Sequence, residues 1–181
     1  MFLSLEDIFP TEERVRIFNE IIYLEREFGV SEIAHKTSLS KGLVSRYFEI
    51  LVNEKILSKR RTKFVVGDNA KVRALRIAIN IAKIDSRIFN RYDCVRAAGL
   101  YGSCAKGTNT ESSDVDIWVK VEGGSELALA EMVSEITRKI DKVKVLILND
   151  EKIAHLKKTD NLFYNALYFG SIILYGADNE I

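Results

Sequence analysis

The chain has 181 residues, of which 47% are hydrophobic and 29% are charged. This composition supports one sizeable core or two small ones and excludes an intrinsically disordered chain. Because 27 Lys and Arg residues nearly balance 26 Asp and Glu residues, a uniformly basic coat is excluded too. We expect a cytoplasmic protein with no membrane span, since no apolar run of about 18 residues occurs and the N-terminus lacks the basic start of a secretory signal.

The counts of individual residue types narrow the class of protein further. Two cysteines, Cys94 and Cys104, are too few for a disulfide framework, and with only two histidines the chain has no Cys/His zinc pattern. The sequence contains no Gln and a single Pro, while Ile, Lys and Glu are abundant. This bias hints at a thermophilic source.

Positive charge is concentrated in one segment. Residues 36–63 hold eight basic side chains against two acidic ones, Glu49 and Glu54. Such local concentration is the expected footprint of phosphate contacts to a nucleic acid. A solvated basic face is the alternative that charge alone leaves open.

The first predicted elements are three short helices followed by a hairpin. Apolar residues recur at helical spacing, and we expect Gly29 to end the first helix while Ser31 and Ser40 cap the other two. Two short strands then flank a charged tip. The expected bounds are residues 11–27, 32–37 and 41–53 for the helices and 56–58 and 64–68 for the strands.

The segment from Ser31 to Leu57 resembles the core of the winged helix-turn-helix family, in which an E-I-A helix packs under an S-K-x-x-V-S-R recognition helix. The resemblance covers about residues 11–68 and implies double-stranded DNA as a partner, with residues 1–68 as the DNA-binding domain. The third helix would enter the major groove, and the basic tip would reach flanking phosphates. A structural or protein-docking wing is the alternative. The expected DNA-binding residues are Lys41, Ser45, Arg46, Lys59, Arg60, Arg61 and Lys63.

A single helix is predicted to connect the two halves of the chain. Apolar residues recur at helical steps from Val72 to Ile88, and residues 70–91 contain neither Gly nor Pro. We therefore expect a semi-rigid connecting helix within residues 69–92 rather than a flexible linker.

The densest pattern of chemically useful residues lies in residues 94–121. An apolar run of strand length is broken by Gly102 and Ser103, and after a polar stretch an alternating strand opens at Asp114. Period two places Asp114 and Asp116 on one face of that strand. Two carboxylates so close together are costly unless a cation lies between them. These acids are therefore candidate metal ligands.

The Gly-Ser break supplies the complementary half of a site. A residue without a side chain lets backbone N–H groups approach an anion, and a hydroxyl can bond a phosphate oxygen. Mg²⁺, or Mn²⁺ in its place, takes carboxylate oxygens together with substrate phosphates, so the pattern indicates chemistry on a nucleoside triphosphate (NTP). Trp118 shares the face of the acids and is a candidate to stack on a base. A P-loop is excluded, because Thr108 stands where that motif requires Lys.

The same residues resemble, in its minimal form, the DNA polymerase β-like nucleotidyltransferase superfamily. Its pattern is a hydrophobic strand, Gly-Ser, about ten residues and then Asp-x-Asp on the next strand, and ten residues separate Ser103 from Asp114 here. The resemblance covers about residues 85–181, with residues 93–181 as the transferase domain and a last helix that includes Leu174. It implies a mixed sheet flanked by helices, so the expected fold class is α+β with two domains. It also implies Asp114 and Asp116 as catalytic metal ligands and Gly102, Ser103, Lys106 and Ser113 as nucleotide-binding residues.

One position departs from the family pattern. Active members usually carry a third carboxylate on the next strand, here predicted over residues 143–148, where it completes a two-metal site. The matching position is Lys144, which cannot bind Mg²⁺ while it is protonated. Asp141 or Asp150 takes the role of the third acid if the register differs, and Lys144 itself is a candidate substitute for the missing cation.

Two functions are consistent with these observations. The first is a DNA-binding protein whose Mg²⁺-dependent transferase domain moves a nucleoside monophosphate from an NTP to a hydroxyl. The second is a transcription regulator whose catalytically impaired transferase domain senses nucleotide or binds a partner. The family resemblance also implies a small helical toxin-like protein as a partner. The aromatic residues near the C-terminus follow helical steps, and we expect most of them in the core and some of them at a homodimer face. Polymerase activity is not expected, because residues 93–181 leave no room for domains that hold primer and template.

Overall fold

The computed structural model describes residues 8–176 of the chain. The chain divides into two compact units, the first ending at Arg76 and the second beginning at Ile77. The division falls inside one helix, Ala70–Ala82. Among the described residues no helix is both long enough and apolar enough to cross a membrane.

The described part of the first unit includes three helices and a two-stranded antiparallel hairpin, which are elements that the sequence predicted. The first helix ends at Ile21 rather than at residue 27, and Gly29 caps the second helix instead of ending the first. The second helix begins at Val30, so Ser31 lies inside it and does not cap it. These elements are α1 (Glu12–Ile21), α2 (Val30–Thr37), α3 (Lys41–Asn53), β1 (Leu57–Arg60) and β2 (Lys63–Val66).

Phe28 explains why the first helix stops early. Its backbone N–H donates to the carbonyl of Phe64 at 3.0 Å, and its carbonyl accepts from the N–H of Phe64 at 2.9 Å. The chain before α2 is therefore extended beside β2. The Phe48 ring meets the rings of Phe28 and Phe64 edge to face in the core of this unit. A long-range pairing thus overrides the helical spacing of the local sequence.

The third helix agrees closely with its prediction. The side chain of Ser40 accepts a hydrogen bond from the N–H of Leu43 as the N-cap, and the helix ends at Asn53. Lys41 and Arg46 are exposed on its outer face. Its buried face consists of Val44, Tyr47, Phe48 and Leu51.

The helix after the hairpin is shorter than predicted. Helix α4 (Ala70–Ala82) ends at Ala82 instead of continuing to residue 91. The Asp85 carboxylate accepts hydrogen bonds from the N–H and the guanidinium of Arg87 and caps a separate 3₁₀ helix, Ser86–Arg91. A side chain that bonds the local backbone competes with continuation of an α-helix, so the predicted helix is two elements.

Within residues 77–176, the second unit forms a four-stranded mixed sheet flanked by helices. The elements after the 3₁₀ helix are β3 (Val95–Tyr101), α5 (Gly102–Lys106), β4 (Val115–Val121), α6 (Glu126–Lys139), β5 (Val143–Leu148), α7 (Asp150–Thr159), α8 (Asn161–Gly170) and β6 (Ile172–Tyr175). The strand order is β5-β4-β3-β6, in which β4 and β5 are parallel and the other pairs are antiparallel.

The two faces of the sheet bury different residues of β4, as the alternation of that strand predicted. Ile117 and Val119 belong to a buried cluster with Met132 and Ile136 of α6. Trp118 belongs to a second cluster on the other face. The remaining buried members of that second cluster are Ala97, Leu148, Ile153 and Leu167.

The last strand corrects the predicted last helix. Helix α8 ends at Gly170, and Leu174 lies in β6, which runs antiparallel to β3. The β-branched residues Ile172 and Ile173 favour an extended backbone, and pairing with β3 satisfies the hydrogen bonds that a helix would otherwise make.

Candidate functional site

The Gly-Ser break is the point where β3 turns into α5. Gly102 is the first residue of this five-residue helix and has a φ of 69°. A Cβ on Gly102 would lie 2.6 Å from Oδ2 of Asp116, so the carboxylate packs directly against the glycine. Only glycine tolerates this positive φ together with so close a neighbour. The structure therefore brings together the turn and one of the acids that the sequence singled out.

Asp114 and Asp116 lie at the start of β4. Asp116 is partly buried and pairs in register with Tyr101 of β3. Asp114 directly precedes the strand, and its side chain is 41% exposed. The Sγ of Cys104 donates a hydrogen bond to the backbone carbonyl of Asp114 at 3.4 Å. This contact ties α5 to the beginning of the strand that carries both acids.

Lys144 lies across from the acids on β5, at the position that the strand pattern predicted. It pairs in register with Asp116, and its Nζ lies 2.5 Å from Oδ2 of Asp114. The hydrogen bond from Lys144 to Asp114 and the charge of that carboxylate raise the pKa of Lys144. The ammonium is therefore protonated at neutral pH, where it neutralises one acid and accepts no proton.

Tyr101, Asp116 and Lys144 form a row across three neighbouring strands. Burial raises the pKa of Asp116, an effect that Lys144 opposes and Asp114 strengthens. Burial and the charge of Asp116 also raise the pKa of Tyr101, so its hydroxyl stays protonated. Sequence reasoning missed Tyr101; its place directly before Gly102 was the signal that could have found it.

No third acid joins the pair within residues 8–176. These residues contain no cluster of three or more Asp, Glu, His or Cys side chains that could hold a metal ion. Asp150 lies beyond the far end of β5, where its Oδ1 is 3.2 Å from Nζ of Lys120. Asp141 precedes β5 and is exposed. Neither of the two expected replacements therefore joins the first two acids in a cluster.

The residues present fit one divalent ion rather than two. One or two carboxylates together with the phosphates of a substrate form a usual ligand set for Mg²⁺. Asp114 and Asp116 offer that set, provided that Asp114 exchanges the ammonium of Lys144 for the metal. A second ion calls for a further acid beside the pair, and Lys144 places a positive charge at that position instead.

The remaining residues predicted to bind nucleotide lie in α5 and in the loop after it. Ser103 is partly exposed in α5, and Lys106 is exposed at the end of the same helix. The hydroxyl oxygen of Ser113 accepts the backbone N–H of Thr110 at 2.9 Å, so this side chain also closes the loop before β4. Contact of these residues with a nucleotide stays a prediction.

Two neighbours of the acids have structural roles. Burial raises the pKa of the Cys104 thiol to about 11, so the thiol stays protonated and is a poor nucleophile. Trp118 is fully buried, and its Nε1 donates to Oγ of Ser171 at 2.9 Å. A ring in this position is not available to stack on a base. That expectation is wrong because α7 and α8 contribute to the buried cluster around Trp118.

The residues predicted to bind DNA lie on two elements of the first unit. Helix α3 carries one group on the side away from its buried face, and the hairpin of β1 and β2 carries the other. Arg60 forms an ion pair with Glu27 at 3.5 Å, and Arg61 at the hairpin tip has a φ of 54°. The helix group is Lys41, Ser45 and Arg46, and the hairpin group is Lys59, Arg60, Arg61 and Lys63.

Comparison with known families identifies the second unit. The family model described as polymerase beta, nucleotidyltransferase matches residues 83–180, which is more than half of the chain. The chain belongs to this family. The nucleotidyltransferase match contains the Gly-Ser turn, both acids and Lys144, and the family suggests an NTP substrate and a divalent metal ion. No curated protein matches the chain.

Solved structures that resemble the nucleotidyltransferase are distant. A toxin-antitoxin with AMP-PNP is 20% identical, with 54% of this chain and 74% of that chain covered and a TM-score of 0.40. A mutant of the toxin-antitoxin MntA-HpeT is 15% identical, with 52% and 75% covered and a TM-score of 0.39. A putative nucleotidyltransferase from Sulfolobus solfataricus is 18% identical, with 61% and 87% covered and a TM-score of 0.35. Similarity at these TM-scores supports no functional conclusion, so the family assignment rests on the match to residues 83–180 alone.

Proposed function

We propose that the second unit transfers a nucleoside monophosphate from an NTP to a hydroxyl acceptor in a reaction that needs Mg²⁺. The observation that carries this proposal is the carboxylate of Asp116 lying against Gly102, with Oδ2 2.6 Å from where a Cβ would be. Metal-binding and phosphate-binding groups are then adjacent, which is what positioning and charge stabilisation at a phosphorus atom require.

Each residue of the site has a separate part in this proposal. Asp114 and Asp116 hold the divalent ion, which supplies charge stabilisation on the phosphate oxygens. The backbone at Gly102 and the hydroxyl of Ser103 bind the triphosphate. The ammonium of Lys106, exposed at the end of α5, neutralises part of the phosphate charge.

The proposed reaction exchanges one phosphorus–oxygen bond for another. The acceptor oxygen forms a bond to the α-phosphorus, the bond from that phosphorus to the bridging oxygen breaks, and pyrophosphate leaves. The proton of the acceptor hydroxyl passes to solvent or to the leaving pyrophosphate. Lys144 cannot take it, because it is already protonated, and no third carboxylate joins the acids within the described residues.

The ion pair between Lys144 and Asp114 favours a second candidate function. It engages an acid that the metal needs, and it puts a cation where a catalytic base is expected. A site of this kind is suited to binding nucleotide without transferring it. The second candidate is therefore a transcription regulator whose nucleotidyltransferase unit senses nucleotide or binds a partner protein.

A labelling experiment separates the two candidates. The protein is incubated with each NTP labelled at the α-phosphate, with Mg²⁺ and with RNA or protein acceptors. We expect label transfer that is lost in Asp116→Ala and kept in Asp150→Ala, because Asp150 pairs with Lys120 beyond the far end of β5. Absence of transfer, combined with a nucleotide-dependent change in DNA affinity, supports the sensor instead.

Lys144 gives a sharper prediction about the site. Lys144→Asp introduces an acid beside Asp116, so we expect the transfer rate to rise by about a hundredfold, the lower range for an added general base. In Lys144→Ala the two acids lose their neutralising partner, so we expect ATP binding to depend more steeply on Mg²⁺. The labelling experiment measures the transfer rate, and a calorimetric titration with ATP at several Mg²⁺ concentrations measures how binding depends on Mg²⁺. No change in either variant contradicts a role for Lys144.

We further propose that the first unit is a winged helix-turn-helix domain that binds double-stranded DNA. Its three helices, its hairpin and the exposed basic residues on α3 and the hairpin support this proposal. For the protein partner we propose a small helical toxin-like protein or a second copy of this chain. The apolar residues Leu162 and Phe169 on α8, which are 85% and 80% exposed, support an interface there.

A further inference from the structure

Asn80 lies on α4, just before residue 83, where the match to the family begins. Its amide nitrogen donates hydrogen bonds to the carbonyl of Cys104 and to Oδ1 of Asn109, both at 2.9 Å. The amide nitrogen of Asn109 donates in return to Oδ1 of Asn80 at 3.2 Å. Both side chains are buried, with 8% and 6% of the surface of Asn80 and Asn109 exposed. Buried amides that bond each other and a carbonyl form a specific contact rather than an incidental one.

These hydrogen bonds meet a need of the short helix α5. A helix of five residues leaves its last carbonyl groups without partners inside the helix. The carbonyl of Ser103 accepts from the N–H groups of Gly107 and Thr108. The carbonyl of Cys104 accepts from Asn80. Asn80 therefore supplies a donor that a longer helix would supply from its own next turn.

Cys104 extends this contact to the acids. Its thiol donates to the backbone carbonyl of Asp114, and Cys104 comes directly after Ser103 in α5. One buried residue thus joins α4, the Gly-Ser turn and the start of β4. A substitution that removes the Asn80 amide therefore removes a hydrogen bond to Cys104, the residue that connects the Gly-Ser turn to the acids.

We propose that Asn80 is a positioning residue of the nucleotide site. It fixes α5 through the carbonyl of Cys104 and so sets where Ser103 lies relative to Asp114 and Asp116. The effect on nucleotide binding rests on the proposed function, whereas the effect on the order of α5 does not. Helix α4, which precedes the family match, then contributes a positioning residue to the nucleotidyltransferase site and is more than a connecting helix.

The test uses the full chain and two measurements. The first is the rate at which iodoacetamide alkylates Cys104, which is 2% exposed, relative to the partly exposed Cys94, followed by mass spectrometry. In Asn80→Ala we expect this ratio to rise by about tenfold to a hundredfold, because α5 opens more often. The second is the affinity for ATP with Mg²⁺ by calorimetry, which we expect to fall at least about tenfold.

Two further variants control for general loss of stability. Asn69→Ala removes the same type of side chain at the start of the same helix, where Asn69 accepts from the N–H of Val72 and donates to the carbonyl of Lys55. We expect no change in the Cys104 ratio in this variant. Asn109→Ala keeps the hydrogen bond from Asn80 to Cys104, so we expect a smaller rise than in Asn80→Ala. It also serves as the test if circular dichroism shows that Asn80→Ala does not fold.

The remaining outcomes contradict either the positioning role of Asn80 or the proposed function on which it partly rests. An unchanged Cys104 ratio in both Asn80→Ala and Asn109→Ala shows that the amide pair does not fix α5. An equal rise in Asn69→Ala attributes the effect to the helix as a whole. Faster alkylation with unchanged ATP affinity refutes the positioning role. If the unmodified protein binds no NTP, the proposed function fails, and the alkylation ratio alone decides whether Asn80 fixes α5.

Discussion

Gly102 is subject to two constraints, one on its backbone conformation and one on the space beside its Cα. Its φ of 69° lies in the left-handed region, and the carboxylate of Asp116 occupies the space that a side chain would need. Gly123, between β4 and α6, has the same φ of 69° but no heavy atom within 4 Å of the corresponding position. The two residues therefore separate the cost of the backbone conformation from the cost of the close approach.

We predict that Gly102→Ala is more destabilising than Gly123→Ala. Gly123→Ala carries only the left-handed backbone penalty, about 1–2 kcal/mol. Gly102→Ala carries the same penalty, and in addition Asp116 has to leave its place against the turn, which we expect to add about 1 kcal/mol. Urea denaturation of both variants measures the difference. Equal destabilisation would mean that the carboxylate moves at no cost and is not held against the turn.

At the scale of elements, one carboxylate joins the 3₁₀ helix region to α6. Glu135 of α6 accepts hydrogen bonds from the hydroxyl of Tyr92 at 2.7 Å and from the guanidinium of Arg91 at 2.6 Å. The ammonium of Lys139, one turn further along α6, lies 3.1 Å from the same carboxylate. Tyr92 and Lys139 as donors hold the pKa of Glu135 below its usual value, with a further contribution from the charge of Arg91. The ionised form is therefore the one that the folded state stabilises.

We predict that Glu135→Gln lowers the melting temperature at neutral pH. The pKa of Glu135 is lower in the folded state than in the unfolded state. The ionised carboxylate therefore stabilises the fold above the unfolded-state pKa of 4.5, and this stabilisation is lost as the pH falls through the folded-state pKa. The melting curves of the variant and the unmodified protein should therefore converge in acid. Glu131→Gln is the matched control, since Glu131 is exposed one turn earlier on α6. A difference in melting temperature between Glu135→Gln and the unmodified protein that persists at low pH would show that the carboxylate charge is not the cause of the destabilisation.

The elements that the sequence predicted correctly are those whose signals are local. Ser40 marks the start of α3 through its own side chain, and the alternation from Asp114 onwards marks both faces of β4. The early end of α1 was not predictable, because it depends on the pairing of Phe28 with Phe64, which is distant in sequence. The strand that contains Leu174 was missed for the same reason.

The candidate site shows the same limit. The spacing of the Gly-Ser break and the two acids is given by the motif, and Lys144 is found by counting along one predicted strand. Asn80 and Tyr101 carry no motif of their own. They become visible only when the register of β3 and the packing of α4 are known, because each acts on a residue that lies far from it in sequence.

At the scale of the whole molecule, charge and chemistry are divided along the chain. Residues 1–85 contain 15 basic and 12 acidic side chains, whereas residues 86–181 contain 12 basic and 14 acidic ones. The family match begins at residue 83, close to this change in sign. A net positive first part suits contacts to phosphates of a duplex, and a net negative second part suits binding of a divalent cation.

The hairpin tip provides the test of the DNA-binding proposal. Arg61 is exposed there, and a contact from its guanidinium to a phosphate carries no sequence information. We therefore predict that Arg61→Ala weakens binding to all duplex sequences about equally and reduces the slope of log K against log salt concentration by about 1. Fluorescence anisotropy with a labelled duplex across a salt series measures this slope. Lys152→Ala, which removes an exposed cation from α7, should leave the slope unchanged. An equal reduction of the slope in both variants would attribute the reduction to net charge and would contradict a local phosphate contact at Arg61.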